Sequence, residues 1–182
     1  MSVVRSFATP EEMSAFGREL GAELRAGDLL VLTGPLGAGK TTLTRGIGAG
    51  LGVRGPVQSP TFVIARTHPN LGDGPALIHV DAYRLGEAAL VDDLDLDIAH
   101  SVVVVEWGAG IVEELSDSRL EIVIERPTGA SEAHDGDGAD DGDGADDADS
   151  DSDEELDADE PRTVGVRGIG PRWAGTRYAA TA

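Results

Sequence analysis

Eight residues, Gly34-Pro35-Leu36-Gly37-Ala38-Gly39-Lys40-Thr41, follow the pattern G-x-x-x-x-G-K-[ST]. Each fixed position answers a separate physical need. Glycines let the backbone turn its N–H groups toward an anion, the lysine ammonium reaches terminal phosphates, and the hydroxyl holds Mg2+. Lys40 is the single lysine in the chain, against thirteen arginines. An arginine could not simply replace it, because a planar fork is larger than a compact ammonium and prefers two-pronged contacts. A nucleoside triphosphate is therefore the first ligand to which these residues point.

Two carboxylates could complete such a site. Asp81 follows the apolar run Ala76–Val80, and Glu106 follows Val102–Val105. Loops at the carboxyl ends of strands converge around the ligand in open α/β sheets, and a P-loop ATPase needs an acid near its metal. A carboxylate ending a strand can also cap a helix or pair with an arginine, but the strand-end position favours the site role for both, more strongly for Glu106.

The motif needs a strand before it and a helix after it. Leu29-Leu30-Val31-Leu32, behind a Gly27-Asp28 turn, predicts a buried strand over Asp28–Thr33, and Leu43, Ile47 and Leu51 at helical spacing predict a helix over Thr41–Leu51. Its N-terminus would face the phosphates. Upstream, Thr9-Pro10-Glu11-Glu12 reads as a helix start with Thr9 as N-cap and Glu12 closing a capping box, followed by the apolar face Met13, Phe16, Leu20, Leu24. Further strands are expected at Thr61–Ala65, Ala76–Val80 and Val102–Val105, with the loop His68–Pro75 and a mostly helical stretch Leu85–Ala99 between them. Four consecutive valines indicate burial on both faces, as in a parallel sheet. Arg119–Arg126 and Thr163–Val166 read as an antiparallel pair.

Composition bounds the rest. A chain of 182 residues with 40% hydrophobic content accommodates one domain with a sizeable core. The net charge is -20, but Glu132–Glu160 alone holds sixteen acidic residues and no basic one, leaving about -4 for the remainder. Such a tract cannot bury apolar surface and repels itself, so residues 130–160 are expected to form a disordered acidic insertion within a single domain spanning 1–182. Without cysteine, a disulfide framework and a thiolate metal site are both excluded. No run approaches the roughly 18 apolar residues needed to cross a bilayer, which makes a cytoplasmic protein without membrane contact the expectation.

Four motifs in series resemble one family. Gly34–Thr42, Ser59-Pro60-Thr61-Phe62, His79-Val80-Asp81-Ala82-Tyr83-Arg84-Leu85 and Val105-Glu106-Trp107-Gly108 together are similar to the bacterial TsaE family, over roughly Thr9–Arg126 and again near Arg162. The resemblance implies an α/β fold: a P-loop NTPase three-layer sandwich with a mostly parallel central sheet and an antiparallel C-terminal edge hairpin. It implies an ATPase, with ATP and Mg2+, in the machinery that makes threonylcarbamoyladenosine at adenosine 37 of tRNA. The implied partners are the TsaD and TsaB proteins, with tRNA met indirectly through that complex. Carried over residue by residue, Gly37, Ala38, Gly39, Lys40, Thr41 and Thr42 would wrap the phosphates, and Lys40 would bind the terminal ones. Thr41 and Glu106 would hold Mg2+, and Asp81 would stand beside metal and water to assist hydrolysis. Ser59–Phe62 matches a switch-like loop, Trp107 lies next to the metal ligand, and Arg162 matches a late basic residue that approaches the nucleotide. Pro35 stands where many relatives carry an acid, and the long insertion departs from the family pattern.

Weaker signals have simpler readings. Asp149, Asp151, Asp153 and Glu160 fall at calcium-loop positions, yet Glu154 occupies the position where the sharp turn requires glycine. His68, His79, His100 and His134 lack metal spacing, and His79 reads as a polar contact at a strand end. Arg172, Trp173, Arg177 and Tyr178 could touch nucleic acid, but a tail folded against the sheet is the favoured account of them. Rival functions are a P-loop small-molecule kinase and a nucleotide-gated binder with almost no turnover. A GTP preference lacks its Asn-Lys-x-Asp segment. Deleting residues 130–158 is expected to leave the circular dichroism spectrum and melting temperature close to those of the full chain; loss of the fold would contradict a dispensable insertion.

Overall fold

In the computed structural model, residues 3–60, 63–84, 96–110, 116–126 and 160–180 are described. The acidic tract, apart from Glu160, and residues 85–95 of the expected helical stretch lie outside them.

The described residues form one seven-stranded mixed sheet with two α-helices. In chain order the elements are β1 (Val3–Phe7), α1 (Pro10–Gly21), β2 (Leu29–Thr33), α2 (Lys40–Leu51), β3 (Ala65–His68), β4 (Ala76–Asp81), β5 (Ser101–Glu106), β6 (Arg119–Glu125) and β7 (Arg162–Ile169). Across the sheet the order is β1-β7-β6-β2-β5-β4-β3. The central four, β6, β2, β5 and β4, run parallel, and the flanking β7, β1 and β3 join antiparallel. β2 therefore sits between β5 and β6, where the connections depart to opposite sides, the place at which open α/β sheets bind ligands.

Period two divides the strands between two cores. Leu30, Leu32, Leu77, Val102, Val104, Leu120 and Ile122 face α1 and α2, whereas Leu29, Val31, Ile78, Val80, Val103 and Val105 form the opposite face with Ile64, Ala65, Leu96 and Ile98. The valine run of β5 is buried throughout, as double-sided packing requires.

α1 begins as the sequence predicts. The Thr9 side chain accepts the Glu12 N–H at 3.3 Å, and the Glu12 carboxylate accepts the N–H of Ala8 at 2.7 Å, one residue before the usual capping-box partner. Met13, Phe16, Leu20 and Leu24 are all buried. α1 then lies backbone to backbone along α2. A Cβ on Gly21 would stand 2.3 Å from the Ile47 carbonyl oxygen, and one on Gly46 would stand 2.3 Å from that of Ser14. Only hydrogen fits in this seam.

Two expectations change. Thr61 and Phe62 of the strand expected at Thr61–Ala65 lie outside the described residues, Val63 and Ile64 are not strand, and β3 runs Ala65–His68, taking in His68 where a loop is expected. The cause is a tight turn: the N–H groups of Val63 and Ile64 both donate to the Pro60 carbonyl, and Ile64 has φ 66. Of the expected helical stretch Leu85–Ala99 only residues 96–99 are described, and a 3-10 turn starts there at Ile98–His100. An additional strand, β1, lies outside β7.

The C-terminal tail folds against the sheet. Trp173 and Tyr178 are buried, Arg172 grips Asp28 at 2.8 and 3.0 Å, and Arg177 pairs with Glu23. Asp28 opens β2, so the tail braces the strand that leads to the phosphate motif. Gly21→Ala should lower stability by about 1–3 kcal/mol through overpacking, against the better helix propensity of alanine. Urea unfolding with no loss of stability would show that the helices do not meet at their backbones.

Candidate functional site

The Gly34–Lys40 loop joins the carboxyl end of β2 to the N-terminus of α2. Gly39, the N-cap of α2, has φ 97, and a Cβ there would also press on the Met13 sulfur at 2.8 Å. Glycine is thus required by conformation and by space. Ala38 and Thr42 are buried beside it, and Gly37 takes φ 69. The N-terminus of α2 gives this corner a positive potential.

Lys40 lies folded across its own loop. Its ammonium donates to the Gly34 and Pro35 carbonyls at 3.1 and 3.0 Å, and it sits 4.1 Å from the centre of the Trp107 ring. That distance is within cation–π range. Burial pushes the lysine below its usual range, and the nearby carboxylates of Glu106 and Asp81 oppose the shift. The ammonium therefore has been stripped of much of its water and is held in place by oxygen lone pairs and an aromatic face.

The two carboxylates predicted from strand ends stand side by side. Asp81 and Glu106 are directly paired across the β4–β5 ladder, and Leu32, just before the loop, pairs with Glu106 on the other side. Both acids are buried. Glu106 Oε1 accepts the Thr41 hydroxyl at 3.4 Å, bringing together a hydroxyl and a carboxylate 65 residues apart. Asp81 accepts the Tyr83 N–H at 3.0 Å, and its own N–H donates to the Ile64 carbonyl at 2.8 Å. The turn at Pro60–Ile64 is thereby tied directly to the backbone of Asp81.

Trp107 adopts φ 61, unusual for a bulky residue, with its N–H donating to the Leu32 carbonyl. This bend turns the ring over Lys40 and edge-on to Tyr83. Ile64 and Trp107 are the non-glycine residues at positive φ among those described. Such conformations cost about 1–3 kcal/mol each and cluster where function constrains the chain.

Arg162 reaches the site from the start of β7. It donates to the Gly37 carbonyl at 3.5 Å and to the Glu160 carbonyl at 2.6 Å, while Glu160 also pairs with Arg126. A cleft opens here between Thr9, Pro10, Met13, Gly39, Thr42 and Arg162. The structure thus gathers Gly37, Ala38, Gly39, Lys40, Thr41, Thr42, Asp81, Glu106, Trp107 and Arg162 around the carboxyl ends of the central parallel strands.

Sequence reasoning gave His79 only a generic polar contact. Its Nε2 lies 2.7 Å from Glu106 Oε1, with both side chains buried. Strand alternation carried the signal, because His79 and Asp81 are two residues apart and share a face.

Comparison with known proteins gives a consistent relationship. The family model described as "Threonylcarbamoyl adenosine biosynthesis protein TsaE" matches residues 7–133. The tRNA threonylcarbamoyladenosine biosynthesis protein TsaE of Streptomyces coelicolor is 64% identical over 120 residues, covering 64% of this chain and 81% of that protein. Its counterpart in Mycobacterium leprae is 53% identical over 125 residues, covering 64% and 78%. The crystal structure of Bacillus subtilis YdiB superposes with a TM-score of 0.60 at 30% identity, covering 95% of this chain and 89% of that one.

Lys40→Met is expected to change the emission of Trp107 by removing the cation from its ring face. The Trp107→Phe variant gives the contribution of buried Trp173, and a difference spectrum identical with and without the lysine charge would exclude the stacked arrangement.

Proposed function

The chain belongs to the TsaE family, and on that footing we propose that it is a Mg2+-dependent, ATP-binding and ATP-hydrolysing accessory protein of tRNA threonylcarbamoyladenosine modification at adenosine 37. It acts on the complex of the TsaD and TsaB proteins and meets tRNA only through them. The observation that carries this reading is the convergence of Lys40 and Thr41 with Asp81 and Glu106 at the ends of adjacent parallel strands.

The donor set suits the proposed ligands. The Thr41 hydroxyl and Glu106 carboxylate are hard oxygen donors of the kind Mg2+ prefers, and a small number of protein ligands is usual for a cation shared with phosphates. When bound, Mg2+ neutralises charge on the β- and γ-phosphates. Backbone N–H groups from Gly37 to Thr42 hold the phosphate chain in this reading. The Lys40 ammonium exchanges the Gly34 and Pro35 carbonyls for phosphate oxygens, a favourable exchange for a half-desolvated cation. Asp81, held by the Tyr83 N–H, orients the attacking water, and ATP yields ADP and phosphate. Arg162 and the Thr9–Met13 cleft flank the nucleotide on the opposite side.

The link from the Asp81 N–H to Ile64 supports a switch role for the Ser59 loop. A change at the carboxylate reaches that loop through a single hydrogen bond, and the partner complex senses it there. The chain is expected to hydrolyse ATP slowly alone and faster with TsaD and TsaB. Lys40→Ala should reduce kcat/KM by about a hundredfold or more, as loss of a charge-stabilising group does. Glu106→Ala should abolish Mg2+-dependent turnover. Free phosphate release measured with and without the partners tests the reading; phosphorylated small-molecule product in place of phosphate would overturn it in favour of a kinase.

A further inference from the structure

His79 sits on β4 with no exposed surface, between Leu77 and Asp81 on the face that looks toward α2, and pairs with Val104 of β5. Apolar packing alone gives no reason for an imidazole there: an aliphatic side chain would join Leu77 and Val104 in the same core. The ring instead spends one nitrogen on Glu106 and leaves the other, Nδ1, buried without a hydrogen-bond partner.

A carboxylate offers acceptors, so the His79 Nε2–H donates to Glu106 Oε1 at 2.7 Å, and Nδ1 faces no partner. The same Oε1 accepts the Thr41 hydroxyl.

We propose that His79 is a positioning residue: its Nε2–H holds the Glu106 carboxylate in the rotamer that also receives Thr41, so the two oxygen donors stand together before any cation arrives. This rests on the reading of Thr41 and Glu106 as the Mg2+ holders. Partners that orient a metal ligand from behind commonly matter as much as 10–100-fold in metal affinity.

The test uses the full-length chain, with Mn2+ as the probe cation, saturating ADP, and free Mn2+ measured by electron paramagnetic resonance. His79→Leu should weaken Mn2+ binding by about tenfold, the low end of such effects, with ADP affinity in the absence of metal unchanged and a cooperative melting transition retained. His79→Gln, whose amide N–H can reach the same oxygen, should stay within about threefold of wild type. His79→Met supplies the apolar comparison if leucine does not fit. Wild-type Mn2+ affinity in the apolar variants overturns the role of His79 alone, as does an equal loss in His79→Gln and the apolar variants. Wild-type protein that holds no Mn2+ beside ADP overturns both this role and the reading it rests on.

Discussion

The site depends on one constraint, the register in which β2, β4 and β5 run parallel. Leu32 opposite Glu106, and Glu106 opposite Asp81, place the end of the loop-bearing strand level with two acids from distant parts of the chain. A slip of one residue would turn every side chain of a strand to the other face. The valine run of β5, buried on both faces, and the two cores divided by period two hold the strands against such a slip. The apolar packing and the placement of the carboxylates are thus set by the same alignment.

Around that alignment the electrostatics is tightly coupled. Lys40, Asp81 and Glu106 are all buried, a setting in which an unpaired charge is expensive. Each has a partner: carbonyls and an indole face for the lysine, a backbone N–H for Asp81, a hydroxyl and an imidazole for Glu106. These partners come from the loop, the start of α2, the turns after β4 and β5, and β4 itself, and among the described residues the lysine makes no direct ion pair with either acid.

The parts of the fold written in local patterns were legible in the sequence. Strands buried on both faces read as apolar runs, α1 announced its own cap, and the G-x-x-x-x-G-K-[ST] spacing located the loop. β1 was not legible, because a strand at the sheet edge with only Phe7 buried carries no apolar pattern. The late start of β3 follows from the turn at Pro60 and the positive φ of Ile64, which a β-branched residue does not advertise. The relation of His79 to Glu106 depends on ladder register, and the approach of Arg162 to Gly37 on the pairing of β7 with β6. Neither can be read from neighbours in the chain.

The glycine seam between α1 and α2 has a mechanical consequence. Two helices in backbone contact have no side-chain rotamers between them to absorb sliding or rotation. The wall of the cleft made by Thr9, Met13 and the start of α2 therefore behaves as a single stiff beam.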